Sequence, residues 1–417
     1  MHRNVVRRRA AARRRRRGFP LRKKPVLPRR MVELPEKPDK EKEKEKEAAP
    51  PAPRPGPKRQ VLLCPGPVNT SNHVRAALGG PDMCHREPEF LDLFQTVRAK
   101  LIHTLGLDQR THAVLVNGSG TAALEAAVLS CVEPGQKLLV FNNGVYGSRI
   151  ALLAKIHQIP LVEIRSPLTE RPDLSRVSAA LKRDSRIGTV AMVHHETSTG
   201  MLNPVEEVAG LTKKFRRRLL VDGISSLGGE KLEIAKLNIG LCVGSAGKCL
   251  HGAPGLSFVL LSHEEAVRLS KMKPKSLYLD LGLHLKAQEA GDPPFTPSVP
   301  LVAAFAAALD ELTREGVKGR IVRYRERALF LRQGFKKLGL KFLLDEKLLS
   351  NTLTALWLPN GKAYAPLHDG LKKGGFIVYA GQSELKGKIL RVAHMGQLLQ
   401  ADLKEFLRLF KEILGAS

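Results

Sequence analysis

In the stretch "VGSAGKCLHGAPG", Val243 to Gly255, one lysine, Lys248, stands among small residues that let backbone come close to whatever the lysine touches. Two chemistries use a lysine in such a setting. A phosphate-binding loop, G-x-x-x-x-G-K-[ST], needs a glycine five places before the G-K pair and a hydroxyl straight after it. Cys242 and Cys249 occupy those places, so the pattern fails at both ends. The other chemistry is a Schiff base, in which the amine condenses with an aldehyde cofactor such as pyridoxal phosphate. A surface lysine in a glycine turn is the bland alternative.

A Schiff-base lysine makes demands on the rest of the chain. The cofactor's phosphate needs oriented N–H donors, its ring nitrogen an anion, and its ring a flat neighbour. "NGSGTAALEAAV", Asn117 to Val128, reads as a strand end, a glycine turn and a helix starting near Thr121, with Ser119 and Thr121 adding hydroxyls. Such a helix start offers unpaired N–H groups and partial positive charge. Asp222 in "LLVDGISSLGG" ends an apolar strand, where open α/β sheets bind ligands, and is the candidate anion; Asp-Gly is also a common turn. Tyr146 in "NNGVYGSR" is the candidate flat neighbour, or else a core or rim tyrosine. Lys248 follows Asp222 by 26 residues, room for one crossover and a returning strand.

The elements that must position these residues follow from hydrophobic periodicity. From Val61, short β-branched runs alternate with amphipathic stretches, which predicts an α/β fold on a largely parallel sheet. "AVLVN", "KLLVFN", "PLVEI", "TVAMVHHE", "RLLVDG", "IGLCVGSAG" and "LSFVLLS" read as strands, with "TAALEAAVLSCV", "GSRIALLAKIH", "DLSRVSAALKR" and "PVEEVAGLTKKFR" as helices between them. After about residue 300 the pattern turns to long helices, then the strands "TLTALWLP", "GFIVYAG" and "ILRVAHMG" and a final helix. This predicts a large domain over 61–300 and a smaller α+β domain over 301–417.

A chain of 417 residues, 43% hydrophobic, buries a full core. Its net charge of +29 is unevenly placed: residues 1–60 hold 22 Lys/Arg against 7 Asp/Glu. An arginine block and a Lys/Glu/Pro tract fill residues 1–58; neither can bury an apolar face, so disorder is expected there. The arginines could bind nucleic acid or anionic lipid electrostatically, but they carry no interleaved aromatics to stack on bases, so a solvated tail is expected, and nucleic acid would be contacted through this tail if at all. Five cysteines without a C-x-x-C pair argue against a disulfide scaffold or zinc ribbon and for a reducing compartment, the cytoplasm by default. No apolar run reaches the roughly 18 residues of a membrane helix, and no signal-peptide core is present.

The motifs "PGPVNTS", "HREPEF", "GSGTAALEA", "NNGVYGSR", "HHETSTGMLNPVEEV", "VDGISSLGG", "GSAGKCLHGAPG" and "GKILRVAHMG" occur in order from about Val61 onward. Together they resemble the class V aminotransferases, pyridoxal-phosphate enzymes of fold type I with a mostly parallel seven-stranded-type sheet. Within that group it resembles the 2-aminoethylphosphonate–pyruvate and alanine–glyoxylate transaminases. The resemblance implies amino transfer from 2-aminoethylphosphonate, or a small amino acid, to a 2-oxo acid such as pyruvate. Alanine/serine–glyoxylate transamination, ammonia elimination from a hydroxylated aminophosphonate, and a non-catalytic protein acting through its tail on nucleic acid are the alternatives.

Carried over by motif, Lys248 is the Schiff-base lysine and Asp222 the ring-nitrogen partner. Ser119, Gly120 and Thr121 cradle the phosphate, Tyr146 stacks on the ring, and Thr197 contacts the ring hydroxyl. Arg391 grips the substrate's anionic group, with Gly66 on the substrate side. Thr296 in "PPFTPSVP" reaches the phosphate of a partner subunit, which implies a homodimer with shared sites. The sequence departs at Gly247, where many relatives carry a polar residue. Gly244, Gly247 and Gly252 are expected to let the cofactor and a partner chain approach Lys248.

Overall fold

The computed structural model describes residues 59–359 and 361–415; the arginine block and charged tract, and the expectations placed on them, lie outside these. A short strand β1 (Val61–Leu62) and helices α1 (Asn72–Leu78) and α2 (Pro88–Thr104) come first. The alternating region then runs β2 (Thr111–Asn117), α3 (Gly120–Ser130), β3 (Lys137–Asn142), α4 (Val145–Ile156), β4 (Leu161–Arg165), α5 (Leu174–Arg183) and β5 (Ile187–Val193). A hairpin of β6 (His195–Glu196) and β7 (Met201–Leu202), helix α6 (Val205–Lys214), and strands β8 (Arg218–Asp222), β9 (Leu241–Ser245) and β10 (Leu256–Ser262) complete it. Helices α7 (His263–Leu269), α8 (Leu281–Glu289), α9 (Val299–Glu315) and α10 (Val317–Lys337) follow. The last elements are β11 (Leu353–Trp357), α11 (Tyr364–Lys373), β12 (Phe376–Ile377), β13 (Tyr379–Ala380), β14 (Ile389–Ala393) and α12 (Gln400–Gly415).

Seven strands form the central sheet in the order β2-β10-β9-β8-β5-β3-β4. Only β10 runs against its neighbours; every other pairing is parallel. Helices cover both faces, which is why β5, "IGTVAMV", is buried along its whole length. Alternate residues of β5 enter different cores: Val190 and Met192 join Phe94, Val208 and Phe305, while Ala191 and Val193 join Leu124, Ile150 and Leu220. Because the strands are parallel, Asn117, Asn142, Val193, Asp222 and Ser245 all end on one edge, and the polar motifs begin there.

Beyond the sheet, β11, β14 and β13 make an antiparallel three-stranded sheet, and β1 pairs in parallel with β12. The run "GFIVYAG", expected as one strand, is split into β12 and β13. Packing does not change at residue 300. Helix α9 buries Val302, Phe305, Leu309 and Leu312 in the large core with Phe258. At Gly316, with φ +76°, the chain turns into α10, whose Leu331 and Phe335 pack with Phe406 and Phe410. Val61 and Leu63 belong to that smaller core. Apolar packing thus groups Val61 and Leu63 with the smaller core, and Val302, Phe305, Leu309 and Leu312 of α9 with the large one.

Polar contacts join the two parts. His195 meets the Ser350 hydroxyl at 2.8 Å and the Thr352 hydroxyl at 3.1 Å, and Asn351 Nδ2 donates to Glu230 at 2.8 Å. Burial pushes the Glu230 carboxyl up to about 8, against the hydrogen bonds from Asn351. Among the described residues no helix is long and apolar enough to cross a membrane, and no cluster of three or more His, Cys, Asp or Glu is placed to hold a metal.

Candidate active site

Lys248 sits in the loop between β9 and β10, and its Nζ donates to the carbonyl of Pro65. The next residue, Gly66, has φ +123°, and a Cβ built there would overlap the lysine amine. Only glycine allows this approach. Burial lowers the proton affinity of Lys248, opposed by neighbouring groups that include Asp222. The glycines near Lys248 in sequence do something else. A Cβ at Gly244 would strike the Phe258 ring, one at Gly247 would lie 2.9 Å from Pro254 Cα, and one at Gly252 would lie 2.9 Å from Ala246 Cβ. They make room for this chain's own packing, and Gly66 is the glycine that faces the amine.

Asp222 ends β8, which pairs with β9, the strand leading into the lysine's loop, with Val243 as its register partner. It is 3% exposed, and its Oδ1 accepts from the Ile224 N–H at 3.0 Å. Burial pushes its carboxyl up to about 6; the Ile224 N–H opposes this, Glu196 adds to it, and Arg149 and Lys248 pull the other way. A buried carboxyl with this proton affinity is suited to ionise when a protonated ring nitrogen docks against it.

Two helices start at the same sheet edge, and they differ. Helix α4 is closed: Val145 N–H donates to Ser198 Oγ at 3.3 Å, and Tyr146 and Gly147 N–H donate to Glu196 Oε2 at 3.1 and 3.2 Å. Helix α3 has Ser119 as its N-cap, whose hydroxyl makes no cap bond, after Gly118 with φ +138°. A Cβ at Gly120 would come within 2.8 Å of Ile224, so the loop after β8 closes on this turn. Thr121 Oγ1 accepts from Arg149 Nη1 at 3.1 Å, and the Arg149 guanidinium lies 4.6 Å over the Tyr146 ring. The open helix start, its two hydroxyls and a nearby guanidinium suit a phosphate.

Arg391, on β14, is buried at 2% exposure and reaches the large part of the molecule. Its Nε donates to Ala380 O at 2.8 Å, and its Nη1 donates to Thr197 O at 2.9 Å and to Gln382 Oε1 at 3.3 Å. Burial lowers its proton affinity, with Tyr146 and Glu196 opposing. Thr197 is itself buried, directly after Glu196. Thr296 is exposed; its carbonyl accepts from Asn117 Nδ2 at 3.1 Å, which ties its loop to the strand leading into the glycine turn.

The structure thus brings Lys248, Gly66, Asp222, Ser119, Gly120, Thr121, Tyr146, Thr197 and Arg391 to one edge of the sheet. A buried amine, a carboxyl of raised proton affinity, an open helix start and a glycine cradle fit pyridoxal phosphate. Sequence reasoning missed Glu196 and Arg149, although both lie in quoted motifs. The available signal was a run of polar residues, His194 to Thr199, after the apolar strand β5; all six are buried, and buried polar groups need partners.

This arrangement defines a pyridoxal-phosphate-dependent transferase of fold type I. Residues 71–341 match the family model described as aminotransferase class-V. The chain is 37% identical over 356 residues to the 2-aminoethylphosphonate–pyruvate transaminase of Klebsiella pneumoniae, covering 84% of this chain and 96% of the relative. The alanine–glyoxylate aminotransferase structure from Nostoc sp. superposes with TM-score 0.81 at 28% identity, covering 87% of this chain and 97% of that one. The pyridoxamine–pyruvate aminotransferase of Mesorhizobium loti gives TM-score 0.80 at 27% identity, covering 87% and 94%. The chain belongs to the class V aminotransferase family, and its cofactor is pyridoxal 5'-phosphate.

Proposed function

We propose that the enzyme moves the amino group of 2-aminoethylphosphonate to a 2-oxo acid such as pyruvate. The observation that carries this is relatedness along nearly the whole length: proteins named 2-aminoethylphosphonate–pyruvate transaminase from Klebsiella pneumoniae and Lysinibacillus sphaericus, 37% and 33% identical, are covered to 96% and 94%. Pyridoxal phosphate, when bound, supplies the aldehyde that carries the amino group and the ring that accepts the electron pair. Lys248 Nζ would hold that aldehyde until the substrate's amine displaces it, and the amine so freed would be the base that takes the proton from the substrate carbon bearing nitrogen. Its lowered proton affinity favours the free amine that this step needs. Asp222 would hold a proton on the ring nitrogen, Ser119, Gly120 and Thr121 would bind the phosphate, Thr197 would contact the ring hydroxyl, and Tyr146 would flank the ring. Arg391, with Gly66 beside Lys248, orients the anionic end of the substrate, since a planar guanidinium accepts carboxylate or phosphonate alike.

We also infer a homodimer in which Thr296 reaches the partner's phosphate site, and a cytoplasmic location. The exposed side chain of Thr296 supports the first, and five free cysteines support the second. The alanine–glyoxylate likeness keeps alanine and serine as rival donors. Mixing the pyridoxal form separately with 2-aminoethylphosphonate, alanine and serine, and following conversion to the pyridoxamine form by absorbance, decides between them. Conversion by the aminophosphonate is expected; a response to alanine or serine without one to the aminophosphonate overturns the assignment.

A further inference from the structure

Glu196 is fully buried and takes no part in the chemistry above. Its Oε2 accepts from the N–H groups of Tyr146 and Gly147, and its Oε1 accepts from the Ser198 N–H at 3.2 Å and from the Ser198 hydroxyl. The same hydroxyl oxygen accepts from Val145 N–H at 3.3 Å. Glu196 and Ser198 together therefore satisfy the first three N–H groups of α4, which an ordinary helix start leaves open.

Helix α4 has no cap of its own. Its N-cap residue is Gly144, and a Cβ there would fall on the Glu196 carboxyl group, so the glycine is what admits the carboxylate. The Tyr146 N–H and Glu196 are 50 residues apart in sequence, so this is a tertiary contact and not a local capping motif. The first turn so fixed carries Tyr146, with Arg149 stacked 4.6 Å over its ring. On the other side, Thr197, bonded directly to Glu196, presents its carbonyl to Arg391 Nη1 at 2.9 Å. The side chain of Glu196 holds the ring neighbour, and the next peptide holds the substrate arginine.

We propose that Glu196 is a positioning residue for amino transfer, capping α4 from outside the helix so that Tyr146 is held against the cofactor ring. This rests on Tyr146 being that ring's neighbour. A carboxylate serves where an apolar residue would not, because three converging N–H groups and a hydroxyl need an acceptor, and helix N-termini favour negative charge.

The test measures pyridoxal phosphate affinity of the full-length apoprotein by titration, for wild type, Glu196→Gln, Tyr146→Ala and the double variant, with melting temperature recorded alongside. Glu196→Gln replaces one of the two acceptor oxygens with an amide donor facing the converging N–H groups, which is expected to weaken cofactor binding roughly tenfold. Tyr146→Ala should weaken it similarly, and the double variant should be no worse than the poorer single one, because one residue acts through the other. A purely structural loss would lower the melting temperature without that coupling. Wild-type affinity in Glu196→Gln, or independent multiplying effects, overturns the role of Glu196 while leaving Tyr146 in place. Unchanged affinity in Tyr146→Ala overturns the ring-neighbour assignment and the role built on it. Should Glu196→Gln fail to fold, Ser198→Ala removes the hydroxyl between Val145 and the carboxylate; a smaller loss, coupled to Tyr146 in the same way, is then expected, and an uncoupled one overturns the proposal.

Discussion

The amine of Lys248 is fastened to the carbonyl of Pro65, 183 residues earlier in the chain, and Gly66 has no side chain where a Cβ would overlap that amine. The loop before α1 thus forms one wall of the lysine's pocket. Gly66→Ala should displace the amine and force a non-glycine residue to φ +123°. A melting free energy lower by about 1–3 kcal/mol is expected, together with loss of the visible absorbance of the reconstituted protein. Full absorbance in Gly66→Ala would contradict this arrangement.

Lys248 is expected to be the residue that binds the cofactor covalently. Borohydride treatment of the holoenzyme should add the mass of reduced cofactor to the peptide containing Lys248, as read by mass spectrometry. Lys248→Ala should show no such adduct, and turnover should fall by on the order of 10³-fold, the usual scale for a lost proton-transfer group. An adduct on a different lysine would refute the assignment.

Arg391 commits Nε and Nη1 to carbonyl and amide oxygens, so those bonds fix the plane of its guanidinium. Arg391→Lys keeps the charge and loses the plane. KM for the anionic substrates should rise roughly tenfold or more, with a smaller change in kcat, as expected of a group that binds substrate without moving protons. Steady-state kinetics separates the two constants; a lower kcat with unchanged KM would assign Arg391 another task.

Much of the frame was legible in the sequence because its signals are local. Strand β3 and the glycine turn before α3 stand where apolar runs and small residues predict them. What was hidden depends on tertiary packing. Glycines around Lys248 announce crowding but not its direction, and the crowding comes from Phe258, Pro254 and Ala246 of the same chain. Glu196 was illegible as a cap because the helix it caps comes earlier in the chain, on a neighbouring strand's loop. Val61 gave no sign that it pairs with Phe376, since parallel pairing across the whole chain leaves no local pattern.

Asp222 should make the apoprotein's stability depend on pH in the direction opposite to that of a salt-bridged aspartate. Its folded proton affinity, about 6, lies above the ordinary 3.8, so between those values the folded state binds more protons than the unfolded one. The buried charge therefore costs stability fully above pH 6, by roughly 3 kcal/mol as an upper figure, and the cost fades as pH falls toward 4. Asp222→Asn removes it. Without cofactor, this variant should melt at higher temperature than wild type at pH 7 and converge with it near pH 4. With pyridoxal phosphate the order should reverse in function: wild type gains a partner for its charge and is stabilised by binding, while Asp222→Asn loses the proton-holding anion and most of its turnover. Equal melting temperatures of the two apoproteins at pH 7 would mean that the carboxyl is not under the burial strain described here.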